Sequence, residues 1–275
     1  MNYLRYPAII LTLCAVCSCT GRGRYTVFSG YAQGGEYRIT ANLSGCEVPS
    51  RDIGRHIDDI LNSIDSTFSG YNRNSLLSRF NAGQPIEPNG MFLKLLAISD
   101  RYAELTGGAF DVWAGPLFDI WGFGFRTDSL PSDDKVQLAL EECRSGRTLN
   151  FNAIAQGYSC DVVAAYLHSV GVTDMLVNIG EIYCEGLNPA RMPWTVGVDN
   201  PVDGNNSPGQ DVRGVWNSEG KACGIVTSGN YRKFYVKDGK KYAHTIDPRT
   251  GYPVQHDLLS ATIVAPTAAQ ADAFA

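Results

Sequence analysis

Residues 227–253 are the part of the sequence where side chains capable of chemistry are densest. Strand-type residues lie on both sides of Asp238-Gly239, a dipeptide that favours a tight hairpin turn. His244 and Asp247 follow the second strand, on a loop that proline and glycine make rigid. An imidazole that titrates near neutral pH can remove a proton from a hydroxyl. One loop histidine is often only a surface residue, but this crowding of hydroxyl, basic and acidic side chains favours a functional site.

Five other segments place small residues beside polar or aromatic ones at turns. The ring of Tyr71 lies in a polar stretch and could stack on a flat ligand. Glycines from Gly108 onward allow a backbone to approach a ligand closely, and a helix that starts near Asn150 offers free N–H groups to a diphosphate. Each segment alone also has an ordinary structural explanation, such as core packing or helix capping. The segments are residues 68–81, 108–125, 150–157, 177–186 and 271–275.

The elements that must position these segments are predicted from hydrophobic periodicity. Apolar stripes at helical spacing predict helices over residues 50–68, 89–106 and 154–170. Residues 199–214 are rich in Asn, Pro, Gly and Asp and are predicted as an exposed loop. Helices come early and strands late, without a regular βαβ alternation, which predicts an α+β fold of mostly antiparallel sheets packed with amphipathic helices. The predicted strands are residues 36–43, 175–179, 194–198, 225–227, 234–236 and 260–264.

The composition fits a globular protein and excludes some functions. The 275 residues suit one large domain, and 44% of them are hydrophobic, which is enough for a sizeable core. The net charge is −5 and no block of Lys and Arg occurs, so nucleic acid is not an expected partner. From residue 267 the chain is predicted to turn helical and stops within one or two turns, so we expect the sequence to be incomplete at this end.

The first residues have the pattern of a targeting segment. Arg5 precedes an apolar stretch at residues 8–16 that is too short to span a bilayer. This stretch leads to Cys19, in a context that resembles a bacterial lipoprotein signal. We therefore expect residues 1–18 to be a signal peptide, Cys19 to be acylated and residues 19–27 to be a tether. The protein would then be a membrane-anchored lipoprotein of the bacterial envelope that faces the periplasm. An ordinary secretory signal or an uncleaved anchor is the alternative.

The remaining cysteines do not suggest a metal site. Five cysteines follow Cys19, no two of them form a CxxC pair, and no histidine lies nearby at ligand spacing. This pattern predicts neither a zinc site nor a disulfide framework. Cys160 lies in a helical apolar pattern and Cys223 precedes a predicted strand, so most of the five are expected to be buried thiols.

In content and order, these segments resemble the ApbE family of FAD:protein FMN transferases from about residue 28 to the end. The most specific motifs are Thr-Ser-Gly-x-Tyr at residues 227–231 and His-x-Ile-Asp-Pro-x-Thr-Gly at residues 244–251. The resemblance implies one flavin transferase domain over residues 28–275. The other matching segments are residues 68–75, 108–117, 153–161, 177–180 and 271–272.

The resemblance implies an exported enzyme that uses FAD and Mg²⁺, moves FMN from FAD to a threonine hydroxyl of an acceptor flavoprotein, and releases AMP. It implies Mg²⁺ ligands at the Ala153 main-chain carbonyl and the Asp272 carboxylate, and His244 as the general base. Such ligands are coherent, because Mg²⁺ prefers oxygen and can neutralise a diphosphate during phosphoryl transfer. By the same resemblance, the FAD contacts fall at Tyr71, Ala109, Phe110, Asp111, Asn150, Gln156 and Ile246.

Several positions depart from the family pattern. Family members usually carry Asp at the position of Asn150, Gly at Asn152 and an ionisable residue at Gln156. The family's Met-Gly-Thr near the N-terminus is here Gln-Gly-Gly at residues 33–35, and its second metal side chain would fall just after residue 275. Two alternatives therefore stay open. One is a periplasmic FAD diphosphatase in which water replaces threonine, and the other is a flavin-binding lipoprotein without catalysis.

Overall fold

The computed structural model describes residues 24–123, 130–202, 205, 209–230, 234–237 and 240–275. No helix within these ranges is long and apolar enough to cross a membrane. Besides a 3₁₀ turn at Val112–Ala114, the helices are α1 (Ser50–Phe68), α2 (Leu76–Asn81), α3 (Gly90–Leu105), α4 (Gly115–Ile120), α5 (Asp133–Arg144), α6 (Ala155–Ser169) and α7 (Ala268–Phe274). The strands are β1 (Tyr25–Ala32), β2 (Gly35–Asn42), β3 (Met175–Ile179), β4 (Glu181–Glu185), β5 (Thr195–Asp199), β6 (Val212–Asn217), β7 (Cys223–Gly229), β8 (Phe234–Lys237), β9 (Lys240–Ala243), β10 (Ile246–Asp247), β11 (Tyr252–Pro253) and β12 (Ser260–Ala265).

A six-stranded sheet forms the centre of the fold. Its strands follow the order β1-β2-β3-β4-β7-β12, and every neighbouring pair is antiparallel. The pairs β5–β6, β8–β9 and β10–β11 form separate two-stranded sheets. Helices α6 and α7 pack on the central strands and on each other. This architecture confirms the predicted α+β class with mostly antiparallel sheets.

The largest core cluster lies between the sheet and the helices. In α1, Ile53, Ile57, Leu61 and Ile64 recur at helical spacing and are all buried. They belong to the same cluster as alternate residues of β2 and β3, which face the helices because side chains of a strand alternate between its two faces. A smaller cluster around Cys184 and Cys223 lies where β5 and β6 meet the sheet. The sheet is therefore covered on both faces.

Most predicted elements are confirmed. Helix α1 has the predicted bounds, while α3 and α6 each lack one residue at both predicted ends, where the chain forms the helix caps. The predicted hairpin is also confirmed, because β8 pairs with β9 and Phe234 lies opposite Ala243. Its turn, Asp238-Gly239, lies outside the described residues.

Other predictions need correction. The loop predicted over residues 199–214 is wrong at both ends, because Asp199 ends β5 and β6 begins at Val212. These two strands pair with each other, and local composition does not report such a pairing. Strand β1 begins at Tyr25, so residues 25–27 of the predicted tether belong to the sheet. Helix α5 and strand β4 were not predicted, since one has a narrow apolar stripe and the other has charged ends.

Candidate functional site

The start of α6 and the middle of α7 meet at one backbone amide. Gly157 lies in the first turn of α6, where a backbone N–H has no carbonyl partner within the helix. Its N–H donates instead to Oδ2 of Asp272, at 2.9 Å. The following amide, of Tyr158, donates to the Ile154 carbonyl as expected in a helix. Ala153 itself is exposed. The carboxylate of Asp272, one predicted metal ligand, therefore binds the chain at Gly157, four residues after Ala153, which carries the other predicted ligand.

Two glycines allow α7 to pack closely against the start of α6 and against β7. A Cβ atom on Gly157 would lie 2.3 Å from the Ala268 carbonyl oxygen, and one on Gly224 of β7 would lie 2.2 Å from Ala268 Cα. Real Cβ atoms do not approach a backbone so closely, so any larger residue would push α7 away. The carboxylate of Asp161 also accepts hydrogen bonds from the first amides of α7, Ala268 N at 2.8 Å and Ala269 N at 2.9 Å.

Three carboxyl groups share this partly buried region. Burial first, and then the charge of Asp161, raise the pKa of Asp272 to about 7, while the hydrogen bond from the Gly157 amide opposes the rise. Burial and then the charge of Asp272 raise the pKa of Glu181 to about 9, while the Thr227 amide opposes the rise. Burial also raises the pKa of Asp161 to about 6, against the opposing effect of the α7 amides. Without a cation, this group of carboxyls therefore holds protons near neutral pH.

Glu181 was not among the predicted site residues. It is the first residue of β4, directly after Gly180, where the preceding strand turns back. Residues 177–186 show in the sequence only small residues beside polar ones at a turn. An acidic residue beside a glycine at positive φ was the available signal. Only the packing of β4 against α7 shows that this acid lies near Asp272.

The residues at this place fit a hard divalent cation. A main-chain carbonyl and a carboxylate are oxygen ligands, and partly desolvated acids gain from a nearby positive charge. Among the described residues, no group of three or more His, Cys, Asp or Glu side chains is arranged to hold a metal ion. A cation here would therefore depend on the Ala153 carbonyl, on Asp272 and on oxygen atoms from ligand or water, which is common for Mg²⁺.

A cavity of about 790 Å³ opens beside the same helix start. Its walls include two predicted FAD contacts, Tyr71 and Gln156, together with Asn152 and the backbone around Gln33. The volume lies in the range of sites for small molecules and cofactors. Tyr71 is 79% exposed, so much of its side chain faces solvent at the cavity wall. A Cβ on Gly180 would lie 2.6 Å from Nε2 of Gln156, so the glycine leaves room for this amide.

A second group of predicted contacts lies on the other side of the helix start. The N–H of Asn150 donates to the Val112 carbonyl at 2.7 Å, and Asn150 Oδ1 accepts from the Asn152 amide at 2.9 Å. Asp111 accepts from the Trp113 amide at 2.9 Å, and burial raises the pKa of its carboxyl. The neighbouring residues differ in exposure: Ala109 is exposed, whereas the side chain of Phe110 packs in the main core. Phe110 could therefore touch a ligand mainly through its backbone.

The loop that carries His244 reaches this second group. Arg249 Cγ would lie 3.6 Å from a Cβ on Gly108, so the loop packs beside residues 109–111. The carboxylate of Asp247 is bound by Arg249, with Nε and Nη2 both at 2.8 Å, and this lowers the pKa of Asp247. Asp247 lies three residues after His244 in the sequence, but its carboxylate is paired with Arg249. Ile246 is buried in a separate apolar cluster.

His244 itself is partly buried, and its ring centroid lies 6.3 Å from that of Phe123. The next residue, Thr245, shares a hydrogen bond of 2.6 Å with Asn230, just after the end of β7. Thus β7 runs from the contact with α7 toward the His244 loop. The structure therefore brings Asp272 to the start of α6 and places Tyr71 and Gln156 on one cavity, while the His244 loop contacts Gly108 and the end of β7. Cys19 lies outside the described residues.

This arrangement defines a class: an α+β protein in which a cavity, a helix N-terminus and partly buried acids meet at one helix start. The ApbE family model matches residues 34–275, so the chain belongs to the ApbE family. The chain is 31% identical over 285 residues to the FAD:protein FMN transferase of Haemophilus influenzae, covering 94% of this chain and 81% of that protein. It is 31% identical over 275 residues to the FAD:protein FMN transferase of Escherichia coli K12, covering 90% and 76%.

Solved structures give the same result. The flavin transferase ApbE from Vibrio cholerae matches with a TM-score of 0.77 and 30% identity, covering 91% of this chain and 85% of that one. The apo form of the flavinyl transferase ApbE from Pseudomonas stutzeri matches with a TM-score of 0.78 and 28% identity, covering 91% and 82%. The fold is therefore that of ApbE flavin transferases.

Proposed function

We propose that this protein is an FAD:protein FMN transferase that requires Mg²⁺ and moves FMN from FAD to a threonine hydroxyl of an acceptor flavoprotein, releasing AMP. The transferase activity follows from membership of the ApbE family at about 31% identity to proteins of that name. The observation that supports the proposed Mg²⁺ site best is the hydrogen bond from the Gly157 amide to Asp272, which holds this carboxylate at the start of α6, close in sequence to Ala153. Asn152, Ala155 and Gln156 of the same helix start line a cavity large enough for a nucleotide cofactor.

The acids of this region would hold the cation. In the proposal, the Ala153 carbonyl and the Asp272 carboxylate bind Mg²⁺, and Glu181 adds negative charge nearby. When bound, Mg²⁺ neutralises the diphosphate and stabilises charge on the transferring phosphoryl group. The chain contributes the position: Asp161 caps α7, and Gly157 and Gly224 let that helix approach. The start of α6 adds the positive end of the helix dipole, which favours an anion.

The cavity would hold the FAD. Tyr71 offers an exposed ring for stacking, and Gln156 offers an amide that can donate and accept hydrogen bonds. Residues 109–111 and Asn150 would contact the ligand from the other side of the helix start. Asn150 keeps the hydrogen bond to the Asn152 amide that a carboxylate would also make, so its change from Asp alters charge more than local geometry.

His244 would act as the general base. It would take the proton of the acceptor threonine hydroxyl at an imidazole nitrogen. The threonine oxygen then forms a bond to the phosphorus of the FMN half, and the bond from this phosphorus to the bridging oxygen breaks. AMP leaves with that bridging oxygen. The rigid turn at residues 247–251 holds the loop, since the Thr250 and Gly251 amides both donate to the Asp247 carbonyl.

Covalent flavin on an acceptor protein tests this function. The protein is incubated with FAD, Mg²⁺ and a flavoprotein domain that carries a target threonine. In-gel fluorescence under denaturing conditions and the mass of the acceptor measure transfer. We expect His244→Ala to slow transfer roughly 10²- to 10⁴-fold while FAD binding is kept. His256→Ala, a change at an exposed histidine of the same region, is the matched control and should transfer normally.

Other outcomes would contradict the proposal in different ways. Unlabelled acceptors under all conditions would remove the transferase proposal. Release of AMP from FAD at an equal rate with and without acceptor would instead indicate a diphosphatase, in which water takes the place of threonine. Normal transfer by His244→Ala would exclude His244 as the base.

We also propose that the protein is a lipoprotein anchored through Cys19 to a membrane of the bacterial envelope, facing the periplasm. The proposal rests on the short apolar stretch before this cysteine. The full chain expressed in bacteria should fractionate with membranes, whereas Cys19→Ser should release it into a soluble fraction. Equal fractionation of both forms would contradict acylation at this residue.

A further inference from the structure

Two cysteines lie opposite each other on adjacent strands of the central sheet. Cys184 is the residue of β4 that lies opposite Cys223 of β7 in the antiparallel register. Their Sγ atoms are 3.7 Å apart, and both side chains are buried. Directly opposite residues of antiparallel strands have Cα atoms about 4.5–5.5 Å apart, which falls within the range that a disulfide can bridge. Closing the bond requires the sulfurs to move together by about 1.7 Å, a shift that side-chain rotation can supply.

We propose that Cys184 and Cys223 form a disulfide bond that joins β4 to β7. Because residues alternate along a strand, the pair lies on the sheet face opposite Gly224, the residue that contacts α7. The cysteines pack there with Trp194, Val196 and Ile225. The bond would therefore fix the two central strands beneath the helix that carries Asp272, without entering the proposed active site. It closes a loop between residues that are 39 positions apart.

The two thiols differ in a way that suits stepwise exchange. The hydrogen bond between the two thiols lowers the pKa of Cys223 and raises the pKa of Cys184. Cys223 is also the first residue of β7 and follows the exposed residues Lys221 and Ala222, so opening of the strand end would expose it first. The remaining cysteines in the described ranges are separate: Cys160 donates to the Glu181 carbonyl, and Cys46 and Cys143 are partly exposed.

The oxidant is a disulfide, either of a small molecule or of an oxidised dithiol protein. The Cys223 thiolate attacks one sulfur of that disulfide and releases one thiol, which forms a mixed disulfide. The Cys184 thiolate then attacks the Cys223 sulfur and releases the second thiol. Two protons leave the cysteines, and two electrons reduce the incoming disulfide to two thiols.

Peptide mapping after controlled oxidation tests the bond. The protein is equilibrated with oxidised glutathione, denatured with iodoacetamide present, digested without reductant and analysed by mass spectrometry. We expect one linked pair of peptides that contain Cys184 and Cys223, and dithiothreitol should remove it. Because the chain has eight cysteines, mapping identifies the pair where a thiol count would not. Cys184→Ser and Cys223→Ser should each abolish the linked species, whereas Cys143→Ser should leave it unchanged.

Thermal unfolding provides a second measurement. The oxidised protein should melt on the order of 5 °C above the reduced protein, because the cross-link restricts the unfolded chain. Cys184→Ser should melt at one temperature under both conditions. Alkylation of both cysteines after oxidation, linkage of either one to a different cysteine, or equal melting of the oxidised and reduced wild type would overturn the proposal.

Discussion

The buried acids of the proposed metal site should make stability depend on pH when no cation is present. Glu181 has a pKa of about 9 in the folded protein, against 4.5 as its ordinary value, and Asp272 has about 7 against 3.8. Burial is the first cause in both residues. Between the ordinary and the raised pKa, the folded protein binds more protons than the unfolded chain. Its stability is therefore complete at low pH and falls as the pH rises through the folded values.

The substitution Glu181→Gln isolates this effect. It removes the titrating group but keeps an oxygen that can accept from the Thr227 amide. A shift of one pKa unit corresponds to about 1.4 kcal/mol. The stability lost between pH 5 and 8 through one titrating group is therefore at most about 4 kcal/mol. Water that enters the site and relaxation of the structure reduce this loss of stability, and Glu181 and Asp272 titrate as a pair. We therefore expect the wild type to lose about 2 kcal/mol more stability than Glu181→Gln over this interval.

Urea unfolding at pH 5, 6.5 and 8 in EDTA measures this difference, with Glu36→Gln as a control at an exposed acid of the same sheet. The wild type should be least stable at pH 8, and Glu181→Gln should show a flatter profile. Adding Mg²⁺ should stabilise the wild type most at pH 8, where ionised carboxylates bind the cation best. Parallel profiles for the wild type and Glu181→Gln would refute the assignment of a shared acidic site.

Two further predictions concern the placement of α7. Gly224→Ala should lower the free energy of unfolding by about 2–4 kcal/mol and weaken Mg²⁺ binding, because the new Cβ would lie 2.2 Å from Ala268 Cα. Calorimetry would measure both effects, with Gly90→Ala, where the new Cβ meets open space, as the control. Equal stability of the two variants would contradict the close packing of α7. Asp161→Ala should lower the free energy of unfolding by about 1–3 kcal/mol and lower the Mg²⁺ affinity, because two amides of α7 lose their acceptor. Urea unfolding measures the first effect and titration calorimetry the second. An unchanged Mg²⁺ affinity would show that the position of Asp272 does not depend on the Asp161 cap.

Local chemistry in the sequence was enough to predict most elements. The spacing of Ile53, Ile57, Leu61 and Ile64 requires one buried helical face, and α1 has the bounds that this stripe predicts. The strand pattern around Asp238-Gly239 likewise predicted the pairing of β8 with β9. These signals are readable because side-chain periodicity and turn preferences act within a few residues of the chain.

The strands that depend on distant partners were harder to predict. Strand β1 buries little of its surface, so its residues carry no strong alternation, and it is ordered mainly by pairing with β2. Strand β6 is largely exposed and exists because it pairs with β5. The energy of strand pairing depends on both strands together, so the sequence of one strand alone does not reveal it.

The candidate site divides in the same way. The crowding of polar side chains around His244 could be recognised from the sequence alone, whereas the roles at residues 150–157 and 271–272 were implied by the resemblance to the ApbE family. Only the tertiary structure decided that the Gly157 amide would bind Asp272, that Arg249 would hold Asp247, and that Cys184 would face Cys223. The burial of such groups and the distances between groups far apart in the chain are set by packing. The sequence therefore identified candidate site residues, and the fold determined which of them lie close together.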